Sequence, residues 1–337
     1  MNATIEDPFE FITAAIYENQ LNFERIEKAL MLDEYYYLLE NSKEMVYESN
    51  IITSFFGKIL QAIKSIWEKI KEFFKSIFSK EKQVTEANKK AAEKVKKNPQ
   101  LAETAKKVSS SGDTWYKYKA TSTNIALLAG ILMMNIRGRL TTIENNLDHC
   151  VWSDFNIILD LHKSTPSDFC KSHDLVYNYA DVFEKQKYNN KSNMTIAEYM
   201  DQECREKSST PSVDAYDLQN SENVFKSLKN LYQNSDDACR RIYNMANDLL
   251  KDVQQVTPDK IRSEFNNDDR QAIQQAGMTE DQVVNVLTNK VSSVLRMVCQ
   301  GCQTAISQVA EANKAAVKLI NDKYAQTRKV INLQDKD

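Results

Sequence analysis

Cys299-Gln-Gly-Cys302 is the one C-x-x-C in the chain. A redox dithiol needs thiolates exposed near a helix N-terminus, usually after a strand. This pair falls in the middle of a long helical pattern, with Cys302 on its apolar side, so a small residue permitting close helix approach is the expected role. A zinc site needs two further ligands, and no second C-x-x-C or histidine pair offers them at a usual spacing. His149, His162 and His173 are the only histidines. His149 and Cys150 are neighbours in sequence, and adjacent side chains on a helix diverge by about 100°, which rules out a hydrogen-bonded nucleophile and base. The carboxylate pairs Asp236-Asp237 and Asp268-Asp269 lie in polar contexts without the alternating oxygens and Gly turn that calcium requires. Phosphate-loop, dinucleotide, zincin and nucleophile-elbow spacings are missing from the sequence. The reading assigns no catalytic or metal-binding residue and no cofactor, and the protein is expected not to be an enzyme.

The elements that carry these residues are helical by every sequence signal. Only 6 Gly and 5 Pro occur in 337 residues, whereas sheets with many turns consume both. The hydrophobic share of 42% and charged share of 27% are those of a folded chain with a core. The expected class is all-α, a helical bundle with a long C-terminal helix and an N-terminal amphipathic-helix appendage. Six scattered cysteines read as reduced core thiols, and MNATIEDPFEF lacks the pattern of a Sec signal.

Charge divides the N-terminal third. Residues 1–50 carry eleven acids and three bases, a net charge of −8, and residues 51–120 carry sixteen lysines and seven acids, a net charge of +9. Four units follow: an acidic helical segment at 1–50, a basic amphipathic helix at 51–82, a Lys/Ala-rich helix and linker at 83–113 ending in SSSGD, and a helical bundle at 114–337. The stretch 83–107 has little apolar surface and is expected as a solvated helix or tether. Residues 114–163 read as one long helix or two, with the apolar run 125–136, IALLAGILMMNI, as a buried core helix. Thr165-Pro166 and Thr257-Pro258 are cap-plus-proline helix starts, and the second is expected to open one short helix ending near Gly277. Thr279 and Gln282 have capping-box spacing and open the last helix, about 280–332. Val284, Leu287, Val291, Val294, Val298, Cys302, Ala305, Val309, Ala312, Ala316 and Leu319 recur there with a period of 3.5, the seam of a helix packed along a partner helix.

Residues 54–78, SFFGKILQAIKSIWEKIKEFFKSIF, concentrate the strongest signal. Ile52, Phe55, Phe56, Ile59, Ile63, Ile66, Trp67, Ile70, Phe73, Phe74 and Ile77 fall on one wide face with a period near 3.6, and lysines dominate the other. Each large apolar side chain left in water forgoes about 1.5–3 kcal/mol, so this face must be covered. Lysines recur too often for a membrane span. Three covers remain: the chain's own bundle, a partner helix, or an anionic membrane surface, where Lys opposite Trp and Phe is the expected pattern. The lysines of 89–107 also admit weak, salt-sensitive contact with nucleic-acid phosphates, without the Arg or aromatic residues that base readout uses.

The acidic, Tyr-rich start, the helix FFGKILQAIKSIWEKIKEFFKSIF and the Lys/Ala/Glu stretch after it, together about residues 1–107, resemble virion structural proteins of large tailed bacteriophages. The resemblance implies a helical protein of the particle, located in the virion or the host cytoplasm and bound to copies of itself or to other virion proteins. A membrane-active effector that works through the 51–82 helix is the alternative.

Overall fold

The computed structural model describes residues 49–98, 114–149, 163–173, 175, 194–209, 215–255 and 257–334. The acidic segment 1–48, the SSSGD linker, Cys150 and His162 lie outside them. The fold is all-α, a helical bundle with a long C-terminal helix. Its long members are α1 (Ser49–Ser79), α3 (Ser122–His149), α7 (Ser221–Gln255) and α10 (Glu280–Gln334). Shorter helices lie between them: α2 (Glu81–Lys97), α4 (Pro166–Ser172), α5 (Ile196–Cys204), α6 (Ala215–Gln219), α8 (Pro258–Glu264) and α9 (Asn267–Gln275).

α7 and α10 pack on each other, and α1 and α3 each lie against both. The four long helices share one hydrophobic cluster that runs from Ile59 to Ile331. α1, expected as an appendage, packs into this bundle from Ile59 to Ile77. Every seam position named on α10 is buried, from Val284 through Val298, Cys302 and Ala312 to Leu319.

Three local readings change. The first is the stretch after residue 82. Its first part is α2, separated from α1 only by Lys80, and it is packed rather than solvated, against α6 and α7. Val84, Thr85, Asn88 and Ala92 form its buried face. The side chains are small, so the sequence shows little hydrophobicity, yet their spacing of one, three and four residues makes a flat face for a neighbouring helix.

The second change is at residue 114. The expected helix is preceded by a strand, β1 (Trp115–Tyr118), paired antiparallel with β2 (Arg205–Ser208) in the register Trp115↔Ser208 and Tyr118↔Arg205. Three of the four β1 residues are aromatic, the type that favours a pleated, half-buried surface. The Gln326 amide covers part of the free edge of β1, accepting from Tyr116 N at 3.0 Å and donating to Tyr116 O at 2.8 Å.

The third change lies between Pro258 and Gly277, where two helices stand in place of one. Asn266 starts the second with a capping box to Asp269. Gly277 at φ 70° then turns the chain into α10, a left-handed conformation that favours glycine. Thr279 and Gln282 form both bonds of the box that opens α10, at 3.2 and 2.9 Å.

Candidate interaction surface

The apolar face of α1 is turned inward. Ile59, Ile63, Ile66, Ile70, Phe73, Phe74 and Ile77 are buried against α7 and α10. Trp67 is partly buried, and its indole Nε1 donates to Asp236 Oδ1 on α7 at 2.7 Å. Phe74 sits among the rings of Tyr232 (5.2 Å) and Phe78 (5.7 Å). Ile52, Phe55 and Phe56 belong to the first turns of α1, and their side chains lie outside the described residues. Of the covers considered, the chain's own bundle is the one in place. The opposite face keeps Lys58, Lys64, Glu68, Glu72 and Lys75 exposed.

The other singled-out groups are structural in their settings. Cys299 and Cys302 are both buried, and burial pushes the Cys302 thiol up to about 12 and that of Cys299 well above its usual range. A thiol so raised is a poor nucleophile at neutral pH. His173 stacks on Phe169 with ring centroids 4.1 Å apart. Asp237 pairs with Arg137 and Arg240, and Asp269 serves a cap. Lys89 pairs with Glu222, and Lys96 donates to Gln219, so part of the basic stretch is engaged within the chain. Among the described residues, no group of three or more His, Cys, Asp or Glu side chains is placed to hold a metal ion, and no helix is long and apolar enough to cross a membrane.

Two polar clusters were not legible in the sequence. Asp217, on the short helix α6, accepts from Ser122 N (3.1 Å) and Ser122 Oγ (3.3 Å) at the start of α3, and pairs with Lys323 of α10. Lys323 also donates to Ala120 O at 3.3 Å. A carboxylate at a helix N-terminus satisfies free N–H groups and meets the positive end of the helix dipole. At the start of β2, Arg205 pairs with Asp201 and with Asp322 (3.0 Å), and lies 4.5 Å from the centroid of the Tyr116 ring. Burial is the largest influence raising both the Asp322 carboxyl and the Tyr118 phenol beside it. Beside Arg205, an open groove of about 490 Å³ between α5 and α10 is lined by Glu198, Asp201, Glu311, Lys314 and Lys318. Both charge signs line it, and its arginine is already paired on both sides.

The surface with the least usual character is the outward face of α3. IALLAGILMMNI was expected to be buried. Ile125, Ala126, Ala129, Leu132, Met133 and Ile136 are buried, whereas Leu127, Ile131 and Met134 are 46%, 49% and 52% exposed. The remaining exposed positions of α3 as far as Asn145 are Asn124, Asn135, Gly138, Thr142 and Asn145, so none of the exposed residues is charged. The charged residues of this stretch are only partly exposed, and two of them turn to α7: Glu144 pairs with Arg241, and Arg137 with Asp237. A groove of about 330 Å³ runs beside the face, between Leu127, Gly130, Ile131 and Met134 on α3 and Asn230, Gln233 and Asn234 on α7. A helix apolar on every side calls for cover on every side, and that was the available signal for Leu127, Ile131 and Met134. Comparison of the chain with protein-family models, with curated proteins and with solved structures finds no match.

Proposed function

We propose that this chain is a non-enzymatic structural or assembly protein that acts through helix–helix contacts, and that it is a component of a bacteriophage virion. The observation that carries the first part is the outward face of α3, a run of exposed apolar side chains on a rigid helix anchored by ion pairs to α7. Contiguous exposed apolar surface bordered by polar residues is the usual form of a protein-binding site. The virion assignment rests on the resemblance of residues 1–107. Mass spectrometry of purified particles tests it together with an Ile131→Glu variant. The chain is expected in wild-type particles, and the variant is expected to fold and to be depleted from them. Absence of the chain from particles, or undiminished incorporation of a folded variant, overturns the reading.

A second reading, a membrane-active effector, is favoured by the two faces of α1, lysines outside and Trp67 with phenylalanines inside. It requires α1 to leave α7 and α10. Flotation with anionic liposomes, compared with neutral ones, tests it: binding that Ile66→Asp abolishes supports it, and equal recovery without lipid overturns it.

A further inference from the structure

We infer that the outward face of α3 is a self-association surface, on which a second copy of this chain lays its own α3 about a two-fold axis near Met134. The inference rests on reading that face as a docking surface, and it names the partner.

Spacing is the first support. Leu127, Ile131, Met134 and Gly138 follow one another at four, three and four residues, the step pattern of a seam between paired helices. Gly138 is exposed in a helix interior, where glycine is unfavourable, and a Cβ built there meets nothing among the described residues within 4 Å. Close approach by a helix from outside gives that glycine a reason that packing among the described residues does not.

Charge selects the occupant. The exposed side of α1 carries Lys58, Lys64, Glu68, Glu72 and Lys75, so a long helix of this protein that faces water is charged. The exposed positions of α3 from Asn124 to Asn145 are uncharged. The two basic side chains that border the face, Arg137 and Arg139, are only partly exposed, and Arg137 is held by Asp237 of α7. In a two-fold contact near the axis each residue meets its own kind, so a charged face would repel itself. An uncharged face is what a self-contact requires. The seam from Asn124 to Asn145 is about 32 Å long, so a single helix pair of this length lies at or below the roughly 1,200 Å² of the smaller stable interfaces. The dimer is therefore reversible and concentration-dependent.

The test uses the full chain. Sedimentation equilibrium over a dilution series is expected to show a monomer–dimer equilibrium, and Ile131→Glu to weaken it by at least about tenfold with an unchanged circular dichroism spectrum. Under mild oxidation, Asn135→Cys is expected to give a disulfide-linked dimer, and Lys75→Cys on the outer face of α1 none. A wild-type chain that stays monomeric throughout, a dimer unaffected by Ile131→Glu, or equal cross-linking of the two cysteine variants overturns the inference. If the chain is monomeric while Ile131→Glu still reduces incorporation into particles, self-association fails and the docking reading stands with a different partner.

Discussion

Lys323 of α10 and Asp217 of α6 form an ion pair inside the protein, their side chains 6% and 2% exposed, and the same carboxylate caps the start of α3. Three elements far apart in sequence therefore meet at one charge pair. Removing one partner of a buried pair leaves the other charge uncompensated, at a cost of about 3–5 kcal/mol. Lys323→Met is expected to lower the urea midpoint accordingly, and adding Asp217→Leu to recover part of the loss. The recovery is partial because Ser122 loses its acceptor. A single variant as stable as the wild type would show that the pair does not form in solution.

Ile66 and Ile70 are 3% and 2% exposed in the face that α1 presents to α7 and α10. Ile66→Asp or Ile70→Asp would bury a carboxylate without a partner. Each is expected to abolish the cooperative thermal transition of the whole chain or to make it aggregate. Retention of a cooperative transition with only α1 lost, seen as resistance of the rest to limited proteolysis, would mean instead that α1 is separable.

Ala312 lies fully buried on the α10 seam. A larger side chain there pushes against close-packed neighbours, and Ala312→Leu is expected to cost about 1–3 kcal/mol. An unchanged melting temperature would indicate that the seam has room to spare.

The buried thiols give stability a pH dependence whose sign is fixed. Burial pushes Cys302 up to about 12 and raises Cys299 and Cys239, while an unfolded thiol titrates near about 8.5. A group whose folded value is raised contributes its full stabilisation below the unfolded value and loses it as pH climbs toward the folded one. The urea midpoint is expected to fall between about pH 8.5 and 12, and less steeply for Cys302→Ala. At pH 8, iodoacetamide is expected to label Cys302 only when the chain unfolds. Rapid labelling of the native protein would contradict this.

Helix type, the capping box at Thr279 and the α10 seam were legible because each is a local periodicity or a fixed spacing. The covered face of α1 was legible too, but its cover was not: periodicity states that Ile63 and Ile70 need a partner without stating which. The packed face of α2 was missed because Thr85, Asn88 and Ala92 are weakly apolar, and burial there comes from shape. β1 was missed because its partner lies some ninety residues downstream. On α3 the failure was the reverse, since hydropathy alone cannot separate Ile131, which the fold leaves exposed, from Ile136, which it buries.

The bond from Trp67 to Asp236 spans 169 residues, which sets an order of events during synthesis. α1 leaves the ribosome well before α7 and α10, which cover it. At the usual ~5–20 residues per second, the apolar side of α1 waits roughly 10–30 s for Asp236 to be made. Over that interval the nascent chain displays a helix rich in Ile and Phe with its destination not yet translated. A product terminated before Ser221 never receives that cover. Such fragments are expected to be captured by chaperones or to aggregate, while the full-length chain draws the same residues into its core.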